Sequence, residues 1–447
     1  MSANPQNADH QTQKITIQKK TVKITHDRDN LEYPKAVKKE GKYVLPWKTD
    51  KTAPDGWNNF KFFFTPDSSK VPSDAKLDEE PLMQMMKSDP KRIENPPENG
   101  IRVTWLGHAS TLFQLDNVNV LVNPNFNQRG IKYYHPGDNK RYRQPVYSVA
   151  QLPRIDVVFI TNTHFDYLDL SSVRQLNERF GDMLLWYVPM GAADWMTKAG
   201  CGNVVELDWW KEDEVEFIDE TKIEENEDVT TTVFNIACTP SQNYHDRTFD
   251  DDNAVLWCSW VIMSPRYKVF VSGATGYCNV FKSIGRKYGP FHMAALPIGC
   301  YEPDWKFGYG NVTPEESVQI HQDLLAMCSL ALSWGTFTIA NEYYLEPPQR
   351  LNEELRKQGL SEMQFFLLKH GESRLIEIKE ADKEGEEDKE NEKTVALDVP
   401  VIENGDANAP EETSPEDQSV LDDLVNQLVD ETPADEDEKE KSGSASD

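Results

Sequence analysis

The sequence predicts an α/β protein in which two mixed β-sheets carry helices. Three features predict it: a series of short apolar runs from about residue 100, helix signals interleaved with those runs, and a chain long enough at 447 residues to bury a large core. Residues 1–41 are polar and weakly patterned, which predicts a disordered N-terminal arm. Aromatics then crowd into "YVLPWKTDKTAPDGWNNFKFFF". Two readings of "NNFKFFF" stand side by side, packing on the body or contact with a lipid interface, since Lys61 lies among the rings. The runs "IRVTWLG", "VNVLVNP", "DVVFITN", "LLWYVP", "TTVFNIACTP", "AVLWCSWVIM", "KVFVSG", "MAALPIG" and "SLALSWGTF" are rich in β-branched or aromatic residues. Most are closed by Gly, Pro, Asn or Ser, so they read as strands. In "TPEESVQIHQDLLAM", Thr313 is an N-cap, Pro314 takes the first helical position and Glu316 completes a capping box. Val318, His321 and Leu325 share one face of that helix, as do Ile320 and Leu324.

Charge separates the end of the chain from its body. The net charge is −29, from 47 basic and 76 acidic residues, and residues 377–447 hold 26 of the acids against 6 bases. That segment reads as an acidic, largely disordered tail. One short amphipathic helix is expected inside it at 415–431, with Val420, Leu421, Leu424, Val425, Leu428 and Val429 as its stripe. It would dock on its own body or on a partner protein. A chain this acidic has no basic surface for a phosphate backbone, so no nucleic-acid partner is expected. The six cysteines lack CxxC spacing and read as reduced, buried thiols. With no signal peptide and no apolar run of about 18 residues, the expected place is cytoplasmic, peripheral on intracellular membranes.

"VVFITNTHFDYLDL", residues 157–170, has the outline of a metal loop leaving a strand. A binuclear hydrolase uses His-x-His-x-Asp-His there, so that closely spaced ligands meet two zinc ions. Here the loop reads Asn162-Thr163-His164-Phe165-Asp166-Tyr167, with two of the four ligands present.

The phrases "VTWLGHAS", "LNERFG", "CGNVVELDWW", "CTPSQ", "DDNAVLW", "GATGYC", "IGRKYGPF", "PIGCYEP", "WGTF", "ANEYYLEPP" and "LKHGESR" follow one another in the chain. By them it resembles the N-acylphosphatidylethanolamine-hydrolysing phospholipase D family of the metallo-β-lactamase superfamily, over residues 42–376. The resemblance implies the metallo-β-lactamase αββα sandwich. It also implies a first zinc at the positions of Asn162, His164 and Asn243, a second at Asp166, Tyr167 and Ser333, and a bridging aspartate at Ala274. Only His164 and Asp166 keep a ligand type, so five of these seven positions are substituted. Asn123 likewise replaces an aspartate near the site. The resemblance puts Phe165 and His321 against substrate and His108 beside the metals.

Amide oxygens suit hard cations better than zinc, Ser and Tyr bind poorly unless deprotonated, and Ala offers nothing. If a full structural site contributes about 10 to 16 kcal/mol in equal shares, two ligands retain about 5 to 8. His245 is the best substitute ligand, two residues beyond Asn243. It would join His164 and Asp166 around a single metal.

The favoured expectation is a pseudoenzyme with no committed cofactor, which binds phospholipid or a membrane surface and pairs as a homodimer or with an active relative. Two alternatives stay open. One is an active zinc phospholipase D that releases N-acylethanolamine and phosphatidic acid. The other is a membrane-associated interaction protein acting through its acidic tail.

Overall fold

The computed structural model describes residues 33–53, 61–62, 72–130, 140–218, 231–247 and 253–379, with short strands at 14–18, 21–23, 396–398 and 401–402. The chain divides into Met1–Asn404 and Gly405–Asp447, and only the first unit contains described residues. The helix expected at 415–431 lies outside them.

The apolar runs form strands as their composition predicts. In chain order these are β1 (Ile101–Gly107), β2 (Ser110–Leu115), β3 (Val118–Val122), β4 (Val157–Phe159), β5 (Leu185–Pro189) and β6 (Val204–Leu207). There follow β7 (Glu212–Ile218), β8 (Thr231–Thr239), β9 (Ser259–Met263), β10 (Lys268–Val271), β11 (Met293–Pro297), β12 (Ser329–Leu332), β13 (Phe365–Phe366) and β14 (Ser373–Lys379). Sheet one runs β6-β5-β4-β3-β2-β1-β14 and continues through Lys14–Gln18 to Val401–Ile402. Sheet two runs from β7 to β13 in chain order. Both sheets are mixed: β3 to β6 pair in parallel in the first, β10 to β13 in the second, and antiparallel pairs complete each.

The sheets meet face to face. Trp260 of β9 donates its indole N–H to the Ile160 carbonyl at 2.8 Å, and its ring lies 5.4 Å from Phe159 of β4. Helices α1 (Leu170–Phe180) and α2 (Ala193–Ala199) put Val173, Leu176, Phe180 and Met196 into a cluster with Leu112, Leu121, Val158 and Trp186 of sheet one. On sheet two, α3 (Val280–Tyr288), α4 (Pro314–Asp323) and α5 (Glu346–Gln358) bury Phe281, Ile284, Val318, Ile320, Leu351 and Leu355. Helix, sheet, sheet, helix is therefore the layer order, the αββα sandwich. The α4 capping box forms as expected: Thr313 Oγ1 accepts from the Glu316 N–H at 3.3 Å, and the Glu316 carboxylate accepts from the Thr313 N–H at 2.9 Å.

Two expectations change at the edges. The segment 1–41 contains strands at Lys14–Gln18, Thr21–Lys23 and Val37–Lys39, and β14 runs on to Lys379. Ile15 and Ile17 alternate with polar residues, a strand signal hidden by the polar composition around it. The aromatic segment packs where it is described: Trp47 stacks on Trp209 at 5.6 Å, and Phe62 is buried against Phe307 and Trp305. No helix among the described residues is long and apolar enough to cross a membrane.

His321, expected against substrate, is packed inside the fold. It is 3% exposed, its Nδ1 is 2.8 Å from Ser329 Oγ at the start of β12, and its ring lies 5.8 Å from Phe365. Ser333 stands at the other end of that strand. Helical spacing places His321 on the buried face with Val318, which is why the apolar periodicity wins.

Burial lowers the His321 pKa from 6.5 to about 4, and burial followed by Arg141 and Arg143 lowers that of His370 to about 3. Both groups favour the neutral form in the folded chain. Their contribution is complete above the unfolded value near 6.5 and declines as pH falls toward the folded values, because the unfolded chain takes up protons that the folded chain resists. The thermal midpoint should fall between pH 6.5 and 4, with a limiting slope of about 1.4 kcal/mol per pH unit for each histidine. The His321→Gln variant should show a shallower decline. Equal slopes in the two proteins would contradict this account.

Candidate functional site

The loop 160–169 leaves the end of β4 and meets the segments that follow β8, β10 and β12, so the four stretches singled out in the sequence do converge. Gly273 brings one of them close: at φ +64, a Cβ there would lie 2.4 Å from Thr161 Oγ1. Side chain volume is thereby excluded next to Ala274.

At the positions of the second metal, two hydroxyls face each other. Tyr167 Oη lies 3.1 Å from Ser333 Oγ, both side chains are buried, and Tyr167 packs in an apolar cluster with Ala109 and Ala274. Burial, then the Asp166 charge, holds the Tyr167 hydroxyl well above the ordinary phenol range, so it stays protonated. Ala274 contributes a methyl group to this cluster where the resemblance implies a carboxylate.

The amides turn to the backbone. Asn243 donates to the Ala274 carbonyl at 2.9 Å and accepts from the Tyr244 N–H at 2.8 Å. Asn162 Oδ1 accepts from the His164 N–H at 3.0 Å. Asn123 Oδ1 accepts from the Thr161 N–H at 2.9 Å and its hydroxyl at 3.1 Å. The NH2 groups of Asn123 and Asn162 are buried with no hydrogen-bond partner among the described residues.

The two retained ligand types are committed as well. His164 Nε2 donates to the Tyr244 carbonyl at 2.9 Å, which removes that nitrogen from coordination. Asp166 accepts from His108 Nε2 at 2.7 Å. His108 is 2% exposed, and its own backbone N–H donates to Thr336 Oγ1 at 2.7 Å. The expectation that His108 hydrogen-bonds beside the site is met.

The substitute ligand is not brought to the others. His245 Nδ1 bonds Thr163 Oγ1, and no group of three His, Cys, Asp or Glu side chains suited to a metal occurs among the described residues. Phe165 carries Arg247 on its ring, with the guanidinium carbon 4.3 Å from the centroid. Arg247 also lies over Trp195 at 4.6 Å and donates to the Thr163 and Leu168 carbonyls at 2.6 and 2.9 Å. Phe165 therefore helps clamp the loop.

Beside His108 and Ser333 lies a pocket that motif reading missed. It holds about 320 Å³ of atom-free space, partly open to solvent, and Tyr142, Cys300, Trp334, Phe337, Glu342 and Tyr344 contribute walls. "ANEYYLEPP" contains two of these residues, but no metal or nucleophile signature marks them.

The chain is similar to known proteins. The profile of the beta-lactamase superfamily domain matches residues 118–331. The chain is 34% identical to N-acyl-phosphatidylethanolamine-hydrolyzing phospholipase D 1 of Caenorhabditis elegans over 283 residues, 62% of this chain and 76% of that protein. It is 32% identical to the mitochondrial N-acyl-phosphatidylethanolamine-hydrolyzing phospholipase D of Saccharomyces cerevisiae over 252 residues, 56% of this chain and 50% of the yeast protein. An isothiocyanate hydrolase from Delia radicum gut bacteria superposes with a TM-score of 0.47 at 19% identity, covering 62% of this chain and 99% of its own.

The hydroxyl pair can be weighed by a double-mutant cycle of Tyr167→Phe and Ser333→Ala. Each single change leaves the other hydroxyl buried without its partner, so the coupling energy from chemical denaturation should be about 1 kcal/mol. Strict additivity would show that the pair contributes nothing as a pair.

Proposed function

Since the chain belongs to the N-acyl-phosphatidylethanolamine-hydrolysing phospholipase D family of the β-lactamase superfamily, we propose that it is a member whose zinc chemistry has been lost and whose fold serves to recognise phospholipid. The observation that carries this reading is the Tyr167–Ser333 hydrogen bond inside a cluster closed by Ala109 and Ala274. A metal ion there would have to displace a buried phenol that resists deprotonation, and the bridging position offers only a methyl group. The remaining donors do not fit two zinc ions either. Asn243, Asn162, His164 and Asp166 each already commit a polar atom to a backbone group or to His108. Without a bridging carboxylate, nothing holds two metals the roughly 3.5 to 4 Å apart that shared activation of hydroxide requires.

Phospholipid recognition draws on the relatives named for that substrate class and on the retained convergence of loops around a pocket.

Elemental analysis of the purified full chain should find far less than one zinc per molecule, and incubation with N-acylphosphatidylethanolamine should release no N-acylethanolamine. Stoichiometric zinc with lipid turnover would reject the proposal. A restored chain with His at 162, 167, 243 and 333 and Asp at 274 should gain zinc, because the backbone that presented the ligands remains.

A further inference from the structure

A carboxylate sits in the pocket beside the altered site without a cationic partner. Glu342 Oε1 accepts from the Cys300 N–H at 2.5 Å, and Oε2 accepts from the Glu302 N–H at 3.1 Å. These bonds fix the carboxylate's direction and leave lone pairs on both oxygens. Among the described residues no lysine, arginine or histidine forms an ion pair with it. Arg350 of α5 is held by Glu315 at 2.8 Å and Glu346 at 3.2 Å. The remaining electrostatic neighbours, Glu346, Tyr142, Tyr301 and Cys300, are acidic or neutral.

The walls around this carboxylate are aromatic. Tyr142, Trp334, Phe337 and Tyr344 line the same pocket, the Tyr142 and Tyr344 rings lie 5.7 Å apart, and the Phe337 ring already carries the Arg141 guanidinium 4.5 Å from its centroid. Ring faces attract a cation through their negative quadrupole, and a partly exposed carboxylate adds an opposite charge when ionised. The combination disfavours neutral and anionic ligands. The enclosed space is small and opens to solvent, so it takes at most an ammonium head and no acyl chain.

We propose that this pocket binds a small organic ammonium group, of the ethanolamine or choline type, by pairing it with Glu342 beside the rings of Tyr142, Trp334 and Tyr344. This deepens the phospholipid reading by naming the headgroup chemistry, and it depends on that reading only for the source of the amine. Zinc content tests loss of the hydrolytic centre, and amine binding tests the pocket.

The unliganded state of Glu342 supports the same conclusion. Burial raises its pKa to about 7, with the Glu346 charge adding to the rise and three backbone hydrogen bonds opposing it. Ionisation is thus held back until a cation arrives, and binding should strengthen as pH rises through 7.

Calorimetric titration of the full-length protein with choline chloride and with ethanolamine tests this. The neutral analogue 3,3-dimethylbutan-1-ol is the control. Both amines should bind with millimolar or tighter affinity, the alcohol should not, and affinity should rise between about pH 6 and about pH 8. Glu342→Gln should weaken the amines by about tenfold or more. Tyr142→Leu, which leaves the carboxylate in place, should weaken them also and serves if Glu342→Gln fails to fold. No amine binding at millimolar concentration, equal binding of the alcohol, or unchanged affinity in a folded variant would overturn the proposal. Vesicles separate the sources. Retention on phosphatidylethanolamine vesicles but not on phosphatidylglycerol vesicles supports the lipid headgroup, and free amine binding without vesicle retention overturns the lipid source.

Discussion

The hydrogen bond between Tyr167 and Ser333 carries the structural consequence of every other change in this site. Four loops from the ends of β4, β8, β10 and β12 converge because both sheets direct them there, and convergence buries polar groups. In the hydrolase version of such a site, metal ions supply the opposing charge that justifies so many donors in one place. Remove the cations and those donors become buried groups that need partners, each costing about 1 to 3 kcal/mol if left alone. Tyr167 and Ser333 satisfy each other, and the ring volume closes on Ala109 and Ala274. Restoring one ligand by itself would therefore reopen a hole before it assembled a metal site.

The backbone keeps the shape of the older arrangement. His108, Asn123, Cys300 and Ser333 all adopt positive φ, at 51°, 43°, 66° and 60°, although none is glycine. Such residues persist where their surroundings over-determine them, and they gather at functional sites. Here the surroundings are visible: the Ser333 N–H donates to the His108 carbonyl at 3.1 Å, and the Asn123 N–H donates to the Phe159 carbonyl at 2.9 Å. The unsatisfied NH2 groups of Asn123 and Asn162 belong to the same inheritance. The same backbone frame shapes the pocket beside these positions.

Much of this was legible from local pattern. Apolar runs of strand length located the two sheets, and the capping box at Thr313 located α4, because strand burial and helix capping are set by residues close in sequence. What stayed hidden depends on contacts between distant residues. Tyr167 and Ser333 are 166 positions apart, so no spacing rule pairs them. His245 stands two residues from Asn243, which suggested a substitute ligand, yet the fold turns its ring to Thr163. His321 had a family role to suggest substrate, and the fold places it on the buried face of α4. Glu342 was missed for a different reason. A lone glutamate between aromatics has no motif, and only its enclosure gives it chemistry.

The retained His164 and Asp166 illustrate how far residue identity can mislead about a site. Both are ligand types at ligand positions, and sequence alone makes them the strongest sign of surviving metal chemistry. In the folded chain each has another task. His164 ties its loop to the segment after β8 through the Tyr244 carbonyl, and Asp166 accepts from a buried His108 whose backbone is anchored to Thr336. Loss of Asp166 would leave the buried His108 donor without its acceptor, and loss of His164 would leave the Tyr244 carbonyl without its donor, costs independent of any metal. Structural duty is thus sufficient to keep both residues. The other five positions bond and pack among themselves and their backbone, Tyr167 with Ser333 and Asn243 with the Ala274 carbonyl.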